Sequence, residues 1–69
     1  MSFLDELKRG LKIIEDKQLE SKKFLAKETT VHKLLAKEFG ETEAQKIIQF
    51  LLRDGLIFEP KAGYFRKTV

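Results

Sequence analysis

The chain has 69 residues, a net charge of +3 from 14 basic and 11 acidic residues, an apolar share of 42% that suffices for one core, and no cysteine. That length allows a single domain over residues 1–69, burying only about 60% of its unfolded surface. The missing cysteines exclude disulfides and thiolate metal sites and fit an intracellular, cytoplasmic protein. Asp5, Glu6, Lys8 and Arg9 interrupt any secretory leader, and no run approaches the ~20 apolar residues of a membrane span. Basic residues are spread along the chain, so the mild excess permits nucleic-acid contact without requiring it.

Ser2 is an N-cap candidate, with Asp5 and Glu6 in the turn that follows. Phe3, Leu4, Leu7, Leu11 and Ile14 keep helical spacing, which predicts a helix from Phe3 to about Gln18, with Leu19 as a possible extension. Gly10 costs about 1 kcal/mol there relative to alanine, so its presence suggests that another element approaches closely. Lys17–Lys23 is polar. Phe24 and Leu25 form an apolar island, which suits a short first strand, a last helical turn or an anchored loop.

Thr29 and Thr30 offer an N-cap for a second helix whose apolar face is Val31, Leu34, Leu35 and Phe39, ended by Gly40. Thr42 offers the cap of a third helix, after a turn of roughly three to four residues. Ala44, Ile47, Ile48, Leu51 and Leu52 form its stripe, with Gly55 in the left-handed stop position. Its other face carries Gln45, Lys46, Gln49 and Arg53. Leu56, Ile57 and Phe58 suit a strand, Pro60 to Gly63 a four-residue loop, and Tyr64, Phe65 and Val69 the beginning and end of a return strand.

This order gives an α+β fold: a winged helix-turn-helix of three helices, a C-terminal β-hairpin wing and room for a short first strand. The expected core is Leu7, Leu11, Ile14, Val31, Leu34, Leu35, Phe39, Ala44, Ile47, Ile48, Leu51, Leu52, Ile57 and Phe65. The first Met-Ser is compatible with a piece of a longer chain.

No catalytic motif is visible. There is no phosphate-binding glycine loop, and the one histidine, His32, has no partners at metal-binding or catalytic spacing. No cofactor or metal is therefore expected, and Glu15 with Lys12 and Glu38 with Lys37 read as solvated ion pairs. Nucleic-acid or partner contact falls on Gln45, Lys46, Gln49 and Arg53 of the third helix, Lys61 of the wing, and Tyr64, Arg66 and Lys67 of the last strand. Lys22, Lys23 and Lys27 add charge before the second helix. The plain alternative is a solvated face, and Glu41 and Glu43 repel phosphate at the start of the third helix. Phe58, Tyr64 and Phe65 could stack on bases or pack on the core; alternation puts Tyr64 on the face opposite Phe65.

The run DGLIFEPKAGYFRKTV resembles the end of the C-terminal winged-helix domain of the archaeal minichromosome maintenance replicative helicase. Ile57, Phe58, Glu59 and Pro60, the wing glycine Gly63, the aromatic Tyr64 and the basic Lys67 carry the resemblance, and LLRDG matches the end of the third helix. The good match covers residues 42–69. It implies a monomeric, non-catalytic regulatory appendage of an ATP-driven DNA helicase, contacting DNA weakly, the ATPase core, or replication-initiation proteins. A free-standing winged-helix transcription regulator is the alternative, and a pure protein-interaction domain the third.

Overall fold

Helix α1 (Phe3–Glu20) begins where Ser2 Oγ accepts the Asp5 backbone N–H at 3.3 Å, in a computed structural model that describes residues 2–68. It runs two residues past Gln18 and takes in Leu19, which is exposed. The chain then turns at 21–25 and enters β1 (Ala26–Lys27), so the short-strand reading of this stretch holds, one residue beyond the apolar island. Phe24 does not anchor a loop into the core. It is half exposed and carries a positive φ of 61°.

Helix α2 (Glu28–Phe39) starts before the threonines expected to cap it, and no side chain caps it. The start is set by the sheet: the Glu28 N–H, one of the helix's orphan donors, donates to the Gly63 carbonyl at 2.9 Å. Helix α3 (Glu41–Arg53) likewise starts before Thr42. Gly40 alone joins the two helices. Its N–H donates to Ala36 O at 2.8 Å and its carbonyl accepts the Ala44 N–H at 3.0 Å, closing α2 and opening α3 at one residue. A φ of 93° makes this possible, a region that glycine enters without the clash a Cβ brings. The expected three- to four-residue turn is thus compressed to one.

The end of α3 follows the reading of Gly55. The Leu56 N–H bonds Leu51 O and the Gly55 N–H bonds Leu52 O, the paired pattern of a Schellman stop. Strands β2 (Ile57–Lys61) and β3 (Tyr64–Lys67) form the hairpin, and the antiparallel sheet runs β1-β3-β2. The connecting loop is shorter than expected. Lys61 pairs with Tyr64, leaving Ala62 and Gly63 at the tip, and the register slips between the Phe58–Arg66 and Lys61–Tyr64 pairs. Glu59 and Pro60 there oppose Phe65 alone. Pro60 has no N–H to lose, so a bulge is accommodated at little cost. The Val69 strand end lies outside the described residues.

One core lies between the three helices and the inner sheet face. Every residue expected in it is buried or, for Leu11, Leu34, Phe39 and Leu52, packed at its margin; Ile13 and Ala26 join it as well. Gly10 is the closest approach. A Cβ there would stand 2.8 Å from Ile47 Cγ2 and 3.3 Å from Leu51 Cδ1, so α1 crosses α3 where only a hydrogen fits.

Candidate functional site

Two solvent-facing surfaces receive most of the residues singled out from the sequence. The first is the outer side of α3, where burying Ala44, Ile47, Ile48 and Leu51 turns Gln45, Lys46, Gln49 and Arg53 to water. Gln45 and Gln49 border a shallow hollow of about 340 Å³ between α2 and α3, completed by Glu28, His32, Ile48 and Leu52. Its wall is mixed: apolar carbons, two carboxamides, one imidazole and one carboxylate. Lys46 is partly neutralised by Glu43 at 3.5 Å.

Acidity gathers at the N-terminal end of α3. Glu41 and Glu43 occupy its first turn, where the helix dipole favours them. Glu6 of α1 adds a third carboxyl. Its Oε1 is shielded from water and meets no hydrogen-bond donor among the described residues. A hydrogen bond to the Glu43 carboxyl, partial desolvation and the Glu43 charge hold the Glu6 pKa above its ordinary value, with Lys46 opposing.

The second surface is the outer face of the sheet. Directly paired residues of an antiparallel sheet project to the same side. Lys27 pairs with Tyr64, and Tyr64 with Lys61, so lysine, tyrosine and lysine stand in one row across β1, β3 and β2. The Lys61 Nζ lies 5.4 Å from the centre of the Tyr64 ring, a cation–π contact. Arg66 and Phe58 form the next pair on this face, and Phe58 is 41% exposed. Beyond the β1 side of Tyr64 is an open hollow of about 290 Å³, lined by Leu25, Lys27, Thr30 and the end of α1.

Arg66 and Lys67 are drawn into the architecture. Arg66 donates Nε to the Phe24 carbonyl and Nη2 to the Lys23 carbonyl, each at 3.0 Å, and so clamps the turn before β1. Lys67 leans to the other side of the sheet, where its Nζ meets Glu15 of α1 at 2.9 Å and its backbone N–H donates to Gln18 Oε1. Glu15 therefore pairs with Lys67, not with Lys12, which meets Asp16 at 3.2 Å; Glu38 pairs with Arg9 at 3.0 Å, not with Lys37. Neighbours i and i+1 diverge on a helix, which separates Lys37 from Glu38. Phe65 is 1% exposed and belongs to the core.

Sequence spacing does not bring Lys27 and Phe58 to this face. A two-residue strand has no period to read, and only its register beside Tyr64 places Lys27 in the row. Among the described residues no three His, Asp or Glu side chains gather to hold a metal ion, and no helix is long and apolar enough to cross a membrane. Comparison with protein families, characterised proteins and solved structures finds no match to this chain.

Proposed function

We propose that this chain is a winged-helix domain, and that it serves as a non-catalytic regulatory module of a replicative DNA helicase, acting through weak contacts with DNA, with the ATPase core, or with replication-initiation proteins. The observation that carries the reading is the segment from Leu51 to Lys67. Its sequence resembles the close of the helicase winged-helix domain, and it folds as a Schellman-stopped helix leading into a bulged hairpin with Gly63 at the tip. The element order and the β1-β3-β2 sheet support the winged-helix assignment.

The electrostatics favour a weak contact over sequence-reading duplex recognition. A recognition helix reads the major groove from its N-terminal residues. Here that end holds Glu41 and Glu43, with Glu6 beside Glu43. This arrangement disfavours the alternative of a free-standing transcription regulator, which needs tight duplex affinity. Deleting the region from the full-length helicase tests the proposal. Unwinding rate or loading should change while the ATP site is intact. Unchanged unwinding, ATP hydrolysis and loading would overturn it.

A further inference from the structure

The geometry points to the outer face of the sheet as a binding platform for single-stranded nucleic acid, with Tyr64 as the stacking ring and Lys27 and Lys61 as phosphate contacts. This rests on the DNA-contacting arm of the function proposed above and names its ligand. Three features of the face converge on it.

The first is charge. Lys22, Lys23, Lys27 and Lys61 are exposed, and none belongs to an ion pair among the described residues, whereas Arg9, Lys12, Lys17, Lys46 and Lys67 each meet a carboxylate. Two of these four lysines stand in the Tyr64 row, and the other two lie in the turn that Arg66 ties to this face; Lys8, Lys33, Lys37 and Arg53 are also exposed and outside any ion pair among the described residues, but they are spread over the three helices. Of the acids nearby, Glu20 meets Lys17 at 3.4 Å, while Glu59, which accepts the Gly63 N–H at 3.0 Å, and Glu28 keep their charge. A polyanion thus finds cations here that no partner has neutralised.

The second feature is aromatic. Tyr64 is flanked by a lysine on each neighbouring strand, Phe58 is exposed on the same face, and Phe24 is half exposed on the clamped turn. Phe24 sits at a positive φ, a region costly for a bulky side chain, and the Ser21 carbonyl and Arg66 hold the turn there. The third is space. Lys61 covers the ring from the β2 side, and the hollow lined by Leu25 and Lys27 opens on the β1 side, with room for a planar group.

Strandedness follows from stacking. A base within a duplex is already covered on both sides and cannot reach an aromatic ring on a flat sheet, whereas an unpaired base can. Lysines alone would serve either form, so the Tyr64 ring is what selects the single strand.

Tyr64 is the chain's one tyrosine and there is no tryptophan, so the domain's ultraviolet emission reports this ring. The test is anisotropy titration of a labelled oligothymidine and of a duplex of equal length, at several salt concentrations, with tyrosine emission followed in parallel. The single strand should bind more tightly than the duplex and change the Tyr64 emission. Tyr64→Ala should weaken binding roughly tenfold, as expected for one base left unstacked, and Tyr64→Phe should retain it. Lys27→Ala/Lys61→Ala should reduce the slope of log affinity on log salt by about 0.7 for each phosphate that is no longer neutralised. Lys33→Ala/Lys37→Ala, an equal charge change on exposed positions of α2, should not.

Equal or tighter duplex binding would overturn the platform. So would weakening confined to Gln45→Ala/Gln49→Ala/Arg53→Ala, or an acidic peptide that binds as well as the oligonucleotide without altering Tyr64. In the first two cases the domain still contacts DNA and the function proposed above stands. If neither nucleic acid binds, the platform falls, while the helicase deletion still decides whether the domain regulates through a protein.

Discussion

Glu6 shows how one side chain couples this small fold to pH. Its carboxyl bonds that of Glu43 and keeps a proton to higher pH than it does in the unfolded chain. The folded state therefore binds more protons across that interval. The stabilisation is fully present below the ordinary glutamate range and is lost as pH rises through the elevated folded value. Glu6→Gln keeps the shape and a donor while removing the charge. It should melt at a higher temperature than the parent near neutral pH and lose less stability between mild acid and neutrality. Superimposable melting-temperature profiles for the two proteins would contradict this. Nothing in the sequence pairs Glu6 with Glu43, because they lie on different helices and only the crossing of α1 over α3 brings them together. Glycine is easier to read. Gly10 in an apolar stripe signals a close contact, and Gly55 after the last apolar residue signals the stop.

Among the elements, helix packing is the most legible in the sequence and the junctions the least. Regular apolar spacing is enough to orient the stripes of α1, α2 and α3. The beginnings of α2 and α3 fall ahead of the threonines because the distant Gly63 carbonyl takes the first N–H of α2, and the adjoining Gly40, at a positive φ, opens α3 with its own carbonyl. The hairpin loop is shorter than its residues suggest because Pro60 reads as a turn residue; in place it lies at a bulge within the strand. The α1–α3 crossing offers the sharpest test of packing. Gly10→Val places methyl groups where a Cβ alone already comes within 2.8 Å of the branched Ile47 side chain. Overpacking should cost about 1–3 kcal/mol, seen as a lower urea midpoint with an unchanged slope. A midpoint equal to or above the parent's would show that α1 and α3 do not meet as described.

At the scale of the whole molecule, the fold divides its charged residues between holding the structure and facing solvent. Arg66 and Lys67, contact residues by sequence, bind the α1–β1 turn and α1 to β3. Composition cannot show that division, since a basic residue on a strand reads the same whichever way it points. Lys61 and Tyr64 stay on the outer sheet face, and Lys27 joins them through strand pairing. Gln45, Gln49 and Arg53 stay on the outer face of α3. The acidic end of α3 contrasts with the unpaired lysines around the sheet, so a polyanion and a protein partner are offered different surfaces. The domain is proposed to act through these faces. Amide shifts of the labelled domain, mapped during addition of single-stranded DNA, duplex DNA and, separately, the ATPase core of the proposed parent helicase, decide whether it does. Changes should concentrate at residues 22–27, 58–66 and 45–53, with single-stranded DNA favouring the first two groups. Changes centred instead on the exposed side of α1, or no change with any of the three, would contradict that proposal.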